Sequence, residues 1–373
     1  MIKILDSGIL YRNPLPQLRP VHAIHPNLLQ LSDQEFLCVY RRGVAFECTQ
    51  GNIGQLRSTD GGKSWIDEGL VYDRSRDDRP YSYRGGQLTK LSNGSLFLLT
   101  SRWDRSDPDK PLYNPETEGY LPVEMLYFRS EDNGHNWSGP HLVTRAGEII
   151  GNNSGPVLEL SDGRLLLPFE TWKAYDDPAP AKQRAMALFS EDGGKTWGNP
   201  TVVADGTAEQ IIYWDMRIIP LGGDRLFSVF WTHDMKTDKD LQIHRSISED
   251  GGKTWSKPVP TGIEGQVSQP VHLGAGRILL LYNLRYAERP GIMAVLSEDE
   301  GRTWDLAHQI TVWDAAGQTN VGTATRDRAV ADMSTFAFGY PGGILTNDGT
   351  VLMSYWATQS CVTHIRWARL QVG

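Results

Sequence analysis

Arginines, carboxylates, histidines and aromatic residues recur in this sequence at the edges of short apolar runs, and together they suit a sugar carrying a negative charge. Arg41, Arg84, Arg285 and Arg289 offer planar forks of N–H groups that match a carboxylate. Glu47, Glu170 and Asp215 offer carboxyl groups for proton transfer or for activating a nucleophile. His25, Asn153, Trp172 and Tyr340 add hydrogen-bonding groups and flat apolar faces, which complement the hydroxyl rim and C–H faces of a sugar ring. Any one of these residues alone reads as a structural salt bridge or hydrogen bond. Gathered around one point, the arginines would repel one another unless carboxylates or an anionic ligand sat among them. The cluster therefore reads as a binding site.

Other chemistries find little support. There is no HExxH motif, and no histidine forms a spaced cluster with Cys or Asp, so neither a metal nor any other cofactor is expected. Cys38, Cys48 and Cys361 match no ligand spacing and read as ordinary thiols. The net charge of −8, with no basic stripe interleaved with aromatics, argues against nucleic acid as a partner. No stretch approaches the roughly 18 apolar residues of a spanning helix, so no membrane partner is expected. The opening residues MIKILDSGILYRNPLPQL carry Asp6, Arg12 and two prolines where a signal peptide needs an apolar run. The expected location is the cytoplasm, or outside the cell if a leader has been removed. Oligomeric state is not readable.

The elements that must position the cluster come from two interleaved repeats. The first is a Ser-x-Asp-x-Gly-x-Thr-Trp box at Ser58–Trp65, Ser130–Trp137, Ser190–Trp197, Ser248–Trp255 and Ser297–Trp304. The second is an apolar run, a tight polar or Gly turn and another apolar run. It occurs at Leu28–Tyr40, Gln87–Thr100, Pro156–Phe169, Met216–Trp231, Pro270–Asn283 and Gly343–Trp356. Six hairpins alternate with five boxes at roughly sixty residues per unit, the signature of a repeat architecture. Each unit supplies a hairpin, a third strand running into the box and a fourth strand after its Trp. Six four-stranded antiparallel sheets repeated radially make an all-β, six-bladed β-propeller occupying residues 1–373 as one domain. The last unit lacks a box and runs out near Thr363–Leu370, leaving an edge that needs a partner. The apolar segment Ile2–Tyr11 is expected to supply the missing fourth strand and close the ring.

Strand direction then assigns the faces. Antiparallel order puts the hairpin turns and the boxes on one rim, and the connections from second to third strand and from each blade to the next on the other. Those connections are long and irregular, at Arg102–Glu124, Trp172–Arg184, His233–Leu241 and Asp305–Phe338. Irregular loops on a rigid scaffold are where sites usually lie. The pocket should open opposite the boxes. The box aspartates Asp60, Asp132, Asp192, Asp250 and Asp299 are then turn-formers, since one motif in five copies marks a fold.

The boxes and the hairpin spacing resemble the sialidase superfamily over essentially the whole chain. The resemblance implies a Tyr nucleophile at the start of the last blade's inner strand, which Gly339-Tyr340-Pro341-Gly342-Gly343 matches. It also implies a carboxylate-binding Arg eight residues before the fifth box, which is Arg289. The family's acid/base Asp corresponds most nearly to Glu47, and its Tyr-activating Glu to Asp215. Two family arginines are not matched. Ile24-His25-Pro26 stands where the family has Arg-Ile-Pro, and the loop after Trp231 carries His233, Asp234, Lys236 and Lys239 but no Arg.

These residues point first to an exo-acting glycoside hydrolase on a terminal sialic-acid-like or other acidic sugar. In that reading Glu47 or Glu170 donates a proton, Tyr340 acts with Asp215, and Arg289, Arg84 and Arg41 hold the anionic group. Two alternatives stay open: a polysaccharide lyase or unusual glycosidase using His and Tyr, and a non-catalytic glycan-binding propeller.

Overall fold

The computed structural model describes residues 1–145, 147–149, 151–316 and 336–373. Most of the long Asp305–Phe338 connection therefore lies outside the described residues. The chain forms six antiparallel sheets set around an axis. The first blade runs His22–Gln30, Phe36–Gly43, Asn52–Ser58 and Ile66–Leu70. The second to fifth repeat this order, and their hairpins start at Tyr81, Gly151, Ile211 and Ser268. Phe338–Leu345, Val351–Gln359 and Val362–Val372 build the sixth, which Ile2–Arg12 completes. That N-terminal strand pairs antiparallel with the C-terminal one, from Ile2 opposite Val372 to Arg12 opposite His364. The termini thus close the ring, and the edge left by the missing box is covered.

Apolar packing follows the ring rather than the individual sheet. Each of six buried clusters joins one blade to the next. Leu37, Val39, Leu98 and Phe128 join the first to the second, and Phe97, Leu99, Leu167 and Phe169 join the second to the third. Leu28, Phe36, Leu352 and Trp367 join the first to the last. Middle strands are covered on both faces, so Leu96–Trp103 is buried without alternation. Each fully buried Phe or Leu there contributes about 1.5–3 kcal/mol of burial.

The boxes occupy one rim. In the first, Asp60 Oδ1 accepts from the Ser58 hydroxyl (2.8 Å) and from the Lys63 and Ser64 N–H groups (3.0 and 2.9 Å), and Oδ2 accepts from the Ser64 hydroxyl at 2.6 Å. Those bonds, led by the one from Ser64, hold the Asp60 carboxyl down at about 2. Gly62, at φ 85°, sits where a Cβ would meet Leu352 of the neighbouring sixth blade. The Trp65 indole N–H closes the turn on the Gly62 carbonyl at 3.1 Å. The carboxylate-to-hydroxyl pattern recurs at Asp132, Asp192, Asp250 and Asp299.

Candidate active site

The first strands of neighbouring blades touch one another, so they line the axis. Three of them break register at the same relative place, between Ile24 and Asn27, between Trp214 and Arg217, and between Gly339 and Gly342. Within each break a non-glycine residue takes the left-handed conformation: His25 (φ 54°), Asp215 (φ 48°) and Tyr340 (φ 54°). Such residues cost roughly 1–3 kcal/mol each and persist only where the surroundings over-determine them. Here all three line one cavity of about 160 Å³ on the rim opposite the boxes. That volume is below the range of about 300–1,000 Å³ usual for drug-sized ligands and suits a single ring.

The floor is densely charged. Tyr340 Oη accepts the Gln87 side-chain N–H at 3.0 Å. The Arg217 guanidinium lies 4.7 Å from the Tyr340 ring centre, and the His25 ring lies 4.6 Å from it. Asp215 faces Arg84 at 3.5 Å and Arg217 at 4.0 Å. Arg84 also donates to the Asn152 side-chain oxygen. Glu170 accepts the Met216 N–H at 3.0 Å and so braces the bulge that presents Asp215. Burial, reinforced by the nearby Asp215 charge, pushes the Glu170 carboxyl up to about 8. Burial, reinforced by Arg84 and Arg41, holds His25 well below its ordinary value, so its imidazole is neutral.

Glu47 stands on a short loop after the first blade's second strand. Arg41 holds that loop, with its N–H groups donating to the carbonyls of Ala45 (3.1 Å), Phe46, Cys48 (3.2 Å) and Tyr83 (3.2 Å). These bonds occupy Arg41 and hold the Glu47 loop in place. Burial raises the Glu47 carboxyl against the opposing pull of Arg41 and Arg105.

Arg285 is stacked 4.0 Å from the Phe336 ring centre and 5.6 Å from that of Trp231. Its Nε donates to the Phe338 carbonyl at 3.4 Å, and its buried Nη1 has no hydrogen-bond partner among the described residues.

The structure brings together Tyr340, Asp215, Glu47, Glu170, Arg84, Arg41, His25 and Arg285 of the sequence-predicted set. Three others lie elsewhere. Arg289 does not reach the cavity: its side chain is 82% exposed and pairs with Asp314 at 3.2 Å. Arg285 follows directly on the fifth blade's second strand, which ends at Leu284, whereas Arg289 stands two residues before its third strand, which starts at Gly291. Asn153 points away, buried against the Ser101 hydroxyl at 2.6 Å, because neighbours on a strand face opposite sides. Asn152 faces the site instead. Trp172 stands behind the wall, its ring centre 6.0 Å from that of Trp214 and 5.7 Å from that of Tyr120. His233, where an arginine is expected, is buried beneath Trp214 and bonded to Asp240 at 3.0 Å.

Sequence reasoning missed Arg105 and Tyr120, which line the cavity from the second blade's long loop. The length of that loop was the signal, but nothing in the sequence says which of its residues folds inward. Among the described residues no group of three or more His, Cys, Asp or Glu could hold a metal ion, and no helix is long and apolar enough to cross a membrane.

The geometry can be set beside known proteins. Residues 112–353 match the family model described as BNR repeat-like domain. A sialidase from Micromonospora viridifaciens is 26% identical over 211 residues, covering 49% of this chain and 31% of that protein. A sialidase from Bacteroides fragilis (strain YCH46) is 22% identical over 293 residues, covering 69% of this chain and 49% of that protein. The chain thus spans half or less of these curated relatives. A crystal structure of a protein of unknown function from Dyadobacter fermentans DSM 18053 superposes with a TM-score of 0.75 at 21% identity, covering 100% of this chain and 99% of that one. The chain belongs to the BNR repeat-like family and has the sialidase-like six-bladed propeller.

Proposed function

From that membership and the charge arrangement on the axis, we propose that the protein is an exo-acting glycoside hydrolase that removes a terminal acidic sugar. One observation carries the reading. Arg41, Arg84, Arg105, Arg217 and Arg285 surround or underlie one cavity. Among the described residues the carboxylates lining that cavity are Glu47, Glu170 and Asp215, and burial raises the first two toward neutrality. A site so positive in low dielectric awaits an anion. Arg285, walled by Phe336 and Trp231, supplies a fork for a carboxylate substituent beside an apolar ring face, with Arg84 across the floor.

In this reading Glu47 protonates the leaving oxygen, a role that burial favours by raising its pKa. Tyr340 meets the anomeric carbon. Its hydroxyl is bonded to Gln87 and not to Asp215, so the chain assists it through the positive charges of Arg84 and Arg217. Asp215 keeps those two arginines in place, and Glu170 holds the bulge beneath it. The sialidase names of the curated relatives support a sialic acid as the first sugar to try.

A second reading rests on the neutral His25 ring against Tyr340, which could act as a base in a lyase reaction. One incubation separates them. With a sialoside, or with an oligosaccharide of 1,4-linked glucuronic or galacturonic acid, the hydrolase releases the free acidic sugar and no chromophore. A product absorbing in the near ultraviolet would overturn hydrolysis in favour of elimination. Retention of every glycan uncleaved would leave a binding protein.

A further inference from the structure

We propose that the cavity recognises a second anionic group, on the sugar beyond the scissile bond, through Arg105. The residue follows the second strand of the second blade and is 6% exposed. Its Nη2 donates to the Lys110 carbonyl at 2.9 Å. Its Nε and Nη1 are buried without a partner among the described residues, and it forms no ion pair there. A buried guanidinium with two idle donors is costly unless an anion meets it.

Arg285 and Arg105 do not serve the same group. Arg84 reaches the floor beside Asp215, the carboxylate that Arg285 also acts on, whereas Arg105 stands at the base of the second blade's long loop, tied to its Lys110 carbonyl. Arg105 acts electrostatically on Glu47, and Arg285 on Asp215. This inference rests on Glu47 as the proton donor. A group beside Glu47 lies on the leaving-group side, so the anion held by Arg105 belongs to the sugar that departs. Trp103, Leu112 and Tyr120 wall that side. Beyond Tyr120 a surface groove of mixed charge, with Lys110 and Arg145 beside Asp104, Asp176 and Asp177, leads away from the cavity. The ligand class is an acidic sugar joined to a sulfated or uronate sugar.

The test is calorimetric binding to the Tyr340→Phe protein of two ligands: sialic acid linked to galactose, and the same disaccharide with galactose 6-sulfate. The sulfated ligand is expected to bind about 10–100-fold tighter. Arg105→Gln, placed in the same background, should bring that ratio close to one, and Arg105→Lys should keep part of it. Unfolding midpoints show that each variant folds. Equal binding of the two ligands, or a ratio that Arg105→Gln leaves intact, overturns the second anion site while the function proposed above stands. Binding of neither ligand, nor of the corresponding glucuronides, overturns that function, and this inference falls with it.

Discussion

The two rims of this propeller are built from the same strands and differ in how their carboxylates are held. On the box rim the positive φ angles fall in tight turns, at glycines such as Gly62, Gly194 and Gly252 and at Asn133 and Glu300, and each box aspartate is held ionised by hydroxyl and N–H groups of its own turn. On the opposite rim, His25, Asp215 and Tyr340 take such angles within strands, Glu47 and Glu170 are driven toward their neutral forms, and Arg105 and Arg285 keep donors with no partner among the described residues. A turn that completes itself needs no ligand. The rim that departs from local rules is where function is expected.

The contrast predicts which changes separate activity from stability. Tyr340→Phe should lower kcat by about 10²–10⁴-fold, the span of effects for groups that move or receive a proton or electrons. It should cost stability only about 1 kcal/mol, since the hydroxyl's one bond among the described residues is from Gln87. Steady-state kinetics with a denaturant melt reads both, and an unchanged kcat would remove Tyr340 from the chemistry. Glu47→Gln should lower kcat about 10²-fold or more on a natural glycoside. It should cost much less on a nitrophenyl glycoside, whose leaving group needs no proton. Equal losses on both would move the acid role elsewhere.

On the box rim the effect is reversed. Gly194→Ala forces a left-handed residue and brings a Cβ within 2.8 Å of Phe97. It should destabilise by about 1–3 kcal/mol. The value of kcat should stay within a factor of two, and a large kinetic loss would couple the rims. The smallest effect is on pH dependence. Glu170 is raised in the fold from 4.5 to about 8, so the folded state binds its proton more tightly than the unfolded chain. Its contribution is fully present below about pH 4.5 and fades as pH rises through 8. Wild type should therefore lose stability relative to Glu170→Gln across that window, as denaturant melts at several pH values would show. A constant difference would mean that Glu170 is ionised in the fold.

The ring was legible because its devices repeat. Five boxes and six hairpins fix strand number and direction, and the unpaired end near Leu370 called for Ile2–Tyr11. What failed to show is what occurs once. The inner-strand bulges have no common sequence, since His25-Pro26, Asp215-Met216 and Tyr340-Pro341 share only a position in their blades. Without them the turn that aims each side chain cannot be placed. Arg285 and Arg289 differ only in how soon the chain leaves its strand, and Asn152 and Asn153 only in pleat parity. Counting from a distant box settles neither. Arg105 and Tyr120 fold inward from a loop with no period at all.

The most direct measurement is a crystal structure of the Tyr340→Phe protein soaked with the acidic sugars named above. The account predicts one sugar on the axis, its carboxylate against Arg285 and Arg84, and its anomeric carbon between residue 340 and Glu47. A sugar whose carboxylate faces away from Arg285, or one seated among the tryptophan turns, would contradict it.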